Sequence, residues 1–166
     1  MIMTQAEKGM CFRELHQAEG VLLVPNPWDG GSARMLEHLG FKALATSSSA
    51  SAATLGRRDG KISRAEALAH VSQIVQATNL PVSADLESGF VADPAAVAET
   101  IRLAAQAGLV GASIEDHTGD KSSPQFEISL AAERIAAAVE AARALPFPFT
   151  LTARAENFFS RQRQPR

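Results

Sequence analysis

The chain has 166 residues, 46% of them hydrophobic and 20% charged, with a formal net charge of −2. That is long enough for one domain with a buried core, and the balance is that of a soluble globular protein. No Lys/Arg-rich run suggests a nucleic-acid groove, and no apolar run approaches the roughly 18 residues of a membrane span.

The single cysteine, Cys11, excludes an internal disulfide. The opening MIMTQAEKGMCFREL lacks the apolar core of a signal peptide. Together these point to the cytoplasm, with neither nucleic acid nor membrane as a partner. Cys11 falls in an expected N-terminal helix and reads as an ordinary packed residue.

The chain then alternates strand-like and helical patterns. Residues 20–25 (GVLLVP) form a continuous apolar run suited to a strand buried on both faces. Residues 32–39 read as a helix stopped by Gly40. Residues 41–47 (FKALATS) are the second strand, followed by a loop of small residues. Ser63 and Glu66 make a capping box, and Leu68, Val71, Ile74 and Val75 follow at helical spacing. Residues 81–87 (PVSADLE) are the third strand. Asp93-Pro94 starts a helix that Gly108 ends. Residues 109–115 (LVGASIE) are the fourth strand, 129–145 an alanine-rich helix, and 149–154 (FTLTAR) the fifth strand. Such alternation predicts an α/β fold with a parallel sheet.

Each expected strand ends in polar residues, where parallel α/β folds collect functional groups. Asp85 and Glu87 alternate within ADLESGF, so a strand would point both the same way. Parity puts Ser83 with them, and puts Thr150, Thr152 and Arg154 on one face of the fifth strand. Two like charges side by side repel unless a cation, a basic side chain or water intervenes. Asp85, Glu87 and Glu115 are hard oxygen donors that suit Mg²⁺ or Mn²⁺. Arg154 suits a bidentate grip on a substrate carboxylate, and the hydroxyl-rich Ser47-Ser48-Ser49 suits the same anion.

The segments NPWDGGSARMLEHLGFKALATSSS, LGRRDGKISRAE, PVSADLESGF, GASIEDHTGD and TARAENFF, in this order, resemble the isocitrate lyase/phosphoenolpyruvate mutase superfamily. The resemblance runs from about residue 12 to 159. It implies a (β/α)₈ barrel, of which this chain holds about the first five β/α units, with residues 160–166 as a tail outside the family pattern. It implies Mg²⁺ and a small 2-oxo or 2-hydroxy acid handled through an enolate-type species, and homo-oligomers among full-length relatives. By position, Asp85 matches the chief metal ligand, and Glu87 and Glu115 match holders of metal-bound water. Asp59 lies near them on a loop, Ser47 and Ser48 match carboxylate-binding positions, and Arg154 matches the substrate arginine. The catalytic candidates are thus Asp59, Arg154 and His117.

Three departures qualify the match. Glu87 stands where the D-x-D-x-G motif usually has Asp. The cysteine of the K-[KR]-C-G-H loop of C–C lyases is missing from residues 117–124, leaving His117 to transfer protons. A complete barrel typically takes about 250 residues, so the chain reads as a truncated member. Two other readings stay open: an inactive remnant that binds metal or anion or assembles with a partner, and a flavodoxin-like protein.

Overall fold

The computed structural model describes residues 2–157, so the expected tail at 160–166 lies outside the described residues. Helix α1 (Gln5–Gln17) starts on a capping box between Thr4 and Glu7. Helix α2 (Gly30–His38) starts on Asp29, whose carboxylate accepts from the Ser32 N–H. Strand β1 (Leu44–Ala45) and helix α3 (Ser48–Thr54) follow, then α4 (Arg64–Ala77) and β2 (Val82–Asp85). The order closes with α5 (Pro94–Gln106), β3 (Gly111–Glu115), α6 (Ile128–Arg143) and β4 (Thr150–Arg154).

The four strands form one parallel sheet in the order β1-β2-β3-β4. Val82, Ala84 and Leu86 from β2 and its end, with Ala112 and Ile114 of β3, are buried in one apolar cluster. Val71 and Ile74 of α4, Val97 and Ile101 of α5, and Ala138 of α6 share that cluster. The helices therefore cover one face of the sheet. Sequential strand order with the helices on one face is barrel winding. A flavodoxin-like sheet reverses direction at a switch point and carries helices on both faces, so that reading is set aside.

Two expectations fail here. The run 20–25 is not a strand among the described residues: Val21 is 87% exposed and Leu23 66%. It lies beside β1 through a hydrogen bond from Ala45 N–H to the Pro25 carbonyl at 3.1 Å. Pro25 and Pro27 have no N–H to extend a ladder, and no described residue covers Val21 or Leu23 on the outer side of the run. The sheet therefore has four strands where five were expected. The small-residue loop after the second expected strand contains α3, with Ser47 as N-cap accepting from Ala50 N–H at 3.3 Å. Its alanines favour helix, and Ala52 packs with Ile62 and Ala67.

Helix α1 lies across the N-terminal end of the sheet. Phe12, 3% exposed, packs with Ala43 and Val110. The approach is close: a Cβ on Gly9 would meet the Pro148 carbonyl oxygen at 2.4 Å. Helix propensity alone favours Gly9→Ala by up to ~1 kcal/mol, yet this contact is with backbone, which gives little. The variant is expected to lose about 1–3 kcal/mol of stability by overpacking, read by urea denaturation. A stabilised variant would mean that α1 is seated differently.

Candidate functional site

The sheet face opposite the helices opens into a cavity of about 930 Å³ at the C-terminal strand ends. Asp59, Asp85, Glu87, Glu115 and Glu156 line it, against Arg154 and Lys121. Ser83 and Thr152 also line it, as the strand parity predicts, and Ser113 of β3 joins them. Ser47, Ser48 and His117 complete the set, so the structure brings every predicted site residue to one cavity.

Asp85 is held from two sides. Ser48 donates to Asp85 Oδ2 from its hydroxyl at 2.9 Å and from its N–H at 3.2 Å. Arg154 Nη1 lies 3.3 Å from Asp85 Oδ1. The Arg154 Nη2 group reaches Glu115 Oε2 at 3.3 Å and Glu156 Oε1 at 2.6 Å. The positive charge beside the acidic pair is thus a basic side chain supplied by β4. Burial alone would lower the pKa of the guanidinium, but the hydrogen bond to Glu156 and the charges of Asp85 and Glu115 outweigh it and raise the pKa.

Glu87 arrives by a different route from the one parity suggested. Strand β2 ends at Asp85, and Glu87 sits in the following turn with a φ of 50°. That left-handed conformation is uncommon for a residue with a Cβ. The turn is closed by Gly89 N–H on the Leu86 carbonyl at 2.7 Å. The Glu87 N–H donates to Asp85 Oδ1 at 3.1 Å, which keeps the two neighbours on the cavity. Burial, then the Asp59 and Asp85 charges, push the Glu87 carboxyl up to about 7. Burial also raises Glu115 to about 7, with Arg154 opposing and Asp85 adding to the rise.

His117 Nδ1 is 4.0 Å from Glu115 Oε1, on a loop closed by Thr118 N–H to the Pro124 carbonyl at 2.9 Å. Asp59 accepts from Gly60 N–H at 3.1 Å on the loop between α3 and α4. Ser47 and Ser48 are engaged locally, as cap of α3 and holder of Asp85.

Glu156 and Lys121 were not among the sequence candidates, and neither was a buried residue behind the site. Arg134 of α6, 1% exposed, donates to the carbonyls of Ser88, Val91 at 3.1 Å and Glu115 at 3.3 Å. Its guanidinium also lies over the Phe126 ring, 4.0 Å from the centroid. It ties the turn carrying Glu87 to the end of β3. The signal was present: Arg134 stands on the same helical stripe as the buried Ala138, Ala141 and Ala142.

The profile of the phosphoenolpyruvate phosphomutase family matches residues 12–166. The chain belongs to that family. The 2-methylisocitrate lyase of Halalkalibacterium halodurans is 33% identical over 114 residues, 68% of this chain and 38% of the relative. A Burkholderia cenocepacia J2315 structure, provisionally named a lyase/mutase, is 54% identical at a TM-score of 0.94, covering 96% of this chain and 58% of its own. Oxaloacetate acetylhydrolase in complex with its product oxalate is 27% identical at a TM-score of 0.85, over 95% of this chain and 56% of its own. Phosphonopyruvate hydrolase, crystallised with oxalate and Mg²⁺, shares the fold at 22% identity and a TM-score of 0.86, over 95% of this chain and 54% of its own. The chain spans less than half the length of the curated relatives it matches. The 2-methylisocitrate lyase and the oxaloacetate acetylhydrolase are named for small carboxylic acids, and the fold seen here matches part of the family's barrel.

Two predictions follow from the geometry. Arg134→Met strands three carbonyl acceptors and is expected to cost about 3 kcal/mol or more, read as a fall in chemical-denaturation midpoint; an unchanged midpoint would show that water replaces the guanidinium. Glu87 and Glu115 stand near 7 in the folded chain against an ordinary 4.5. Between those values the folded state holds protons that the unfolded state has released. Stability of the metal-free chain should therefore fall from about pH 5 to about pH 7 and level off above. Thermal melts in chelator read this, and a melting temperature rising through that window would contradict it.

Proposed function

We propose that this chain carries the metal- and substrate-binding half of a Mg²⁺-dependent lyase-type site for a small 2-oxo or 2-hydroxy carboxylate. Residues 1–159 are then the N-terminal part of the family barrel. The observation that carries the reading is the convergence of Asp85, Glu87 and Glu115 with Arg154 on one cavity. Oxygen-only donors and five lining carboxylates fit a hard divalent cation. Mn²⁺ fits the same donors.

Asp85 would bind the cation directly, with Glu87 and Glu115 orienting its waters. Among the described residues no three His, Cys, Asp or Glu side chains already form a metal cage. When bound, the cation would polarise the 2-oxo group and stabilise charge developing there. Arg154 would exchange its Asp85 and Glu115 contacts for a substrate carboxylate, gripping it through two N–H groups. The Ser47 hydroxyl and the start of α3 add donors for the same anion. His117 takes or gives a proton at the cavity mouth, in place of the cysteine of the C–C lyases. Asp59 sits on the loop opposite Glu87.

Cleavage or formation of a C–C or P–C bond through an enolate is one outcome of this arrangement. Decarboxylation or hydrolysis of an oxaloacetate-type acid is another, and needs no loop cysteine. Oxalate, the product bound by oxaloacetate acetylhydrolase, mimics the planar enolate. A cytoplasmic, homo-oligomeric enzyme is the setting this reading assumes.

A second reading has its own observation. Arg154 already neutralises Asp85 and Glu115, as it would in a remnant that binds anions or a partner without turnover. Calorimetry separates the two. The active reading predicts Mg²⁺ binding, tightened by oxalate and lost in Asp85→Ala. Ser48→Ala, which frees Asp85 Oδ2, should weaken Mg²⁺ by about 10–100-fold. A folded chain that binds neither Mg²⁺ nor oxalate would leave only the remnant reading.

A further inference from the structure

A second, smaller cavity shares Asp85 and Glu87 with the first and is walled by Ile62, Val71 and Phe90. Its volume for water centres is about 10 Å³, close to the minimum that holds one water. Ser51, His70 and Glu87 all line it. Each has a buried polar atom without a partner: Ser51 Oγ, His70 Nδ1 and Glu87 Oε1. Ser51 is only 4% exposed. One such atom left unpaired costs about 1–3 kcal/mol. Three around a single water-sized cavity point to one shared partner.

The hydrogen count identifies it. His70 Nε2 is 2.7 Å from the Trp28 carbonyl oxygen. A carbonyl only accepts, so Nε2 carries the hydrogen and Nδ1 of the neutral ring is an acceptor. In the ionised carboxylate, the form that binds a cation, Glu87 Oε1 is an acceptor too, and Ser51 is a donor or an acceptor. The group that satisfies all three gives two hydrogens and accepts one. We infer that a single buried water is bound by Ser51 Oγ, His70 Nδ1 and Glu87 Oε1, and that through it His70 positions the Glu87 carboxylate.

The water donates to Nδ1 and to Oε1 and accepts from the Ser51 hydroxyl. Oε1 is thereby held from behind. Oε2, which lies toward Gly60, is left for the main cavity. The chain of contacts runs from Trp28, before α2, through His70 of α4 to the turn after β2. It braces a glutamate whose backbone is in an uncommon conformation. His70 is a positioning residue here and touches no reacting atom.

Only the role given to Glu87 rests on the proposed function; the water itself does not. The test is a crystal structure of the full chain that shows ordered water, paired with Ser51→Val, whose added methyl takes the water's place. The wild-type chain should show one water about 2.7–3.2 Å from all three atoms. The side-chain nitrogen shifts of His70 should report an unprotonated, hydrogen-bonded Nδ1 that loses its partner in Ser51→Val. That variant should also let the Glu87 carboxylate move and weaken Mg²⁺ by about tenfold. A cavity without density, with the three atoms re-paired among themselves, overturns the assignment. So does a scatterer at about 2.0–2.4 Å, which would be a cation. A water present while Ser51→Val leaves the Glu87 carboxylate unmoved overturns the positioning role. If wild type binds no Mg²⁺, the functional reading falls while density and nitrogen shifts still decide the water.

Discussion

Everything at this site depends on placing several carboxylates at one end of a sheet without letting them drive it apart. Asp85, Glu87 and Glu115 come from neighbouring strand ends, and burial strengthens their mutual repulsion because little water screens it. The structure answers in two ways. Arg154 lies within 3.3 Å of both Asp85 and Glu115. Glu87 and Glu115 also hold their protons up to about 7. Both responses are reversible, as the proposed exchange of a guanidinium for a cation and an anion would require.

The frame that holds these groups ties side chains to the backbone around the cavity. Arg134 gathers three carbonyls from the turn after β2 and from the end of β3. Ser48 fixes one oxygen of Asp85, and the Glu87 N–H fixes the other. Asp116 accepts from Glu156 N–H at 2.8 Å and joins β3 to the segment after β4. Removing any of these loosens either an acidic side chain or the backbone segment that carries one. That is why substitutions one step removed from the cavity should alter cation affinity.

Much of this was legible in the chain. Sequential strands and helices, the capping boxes, and the alternation in β2 and β4 all follow local rules of period and capping. The family motifs sit at the strand ends where the cavity formed. The expected first strand failed because apolar content does not make a strand: residues 20–25 lack a second neighbour, and Pro25 and Pro27 lack donors. Glu87 lies on the expected side of the sheet for a different reason. A turn and a hydrogen bond to Asp85 put it there, where strand parity was expected to. Arg134 and His70 lie on or beside buried stripes of their helices, yet periodicity does not say what a polar residue there will meet.

By itself the sequence determined the order of elements, the inward parity of Ser83, Asp85, Thr152 and Arg154, and the residue types available for the chemistry. These depend on spacing of a few residues, which local geometry translates directly. Only the tertiary structure decided that Arg154 neutralises Asp85 and Glu115, 69 and 39 positions away in the chain. It alone decided that Arg134 braces the Glu87 turn, and that Ser51, His70 and Glu87 face one small cavity. Such pairings arise from how strands stack side by side and helices cover them, and no local rule encodes which distant groups then share a few ångströms.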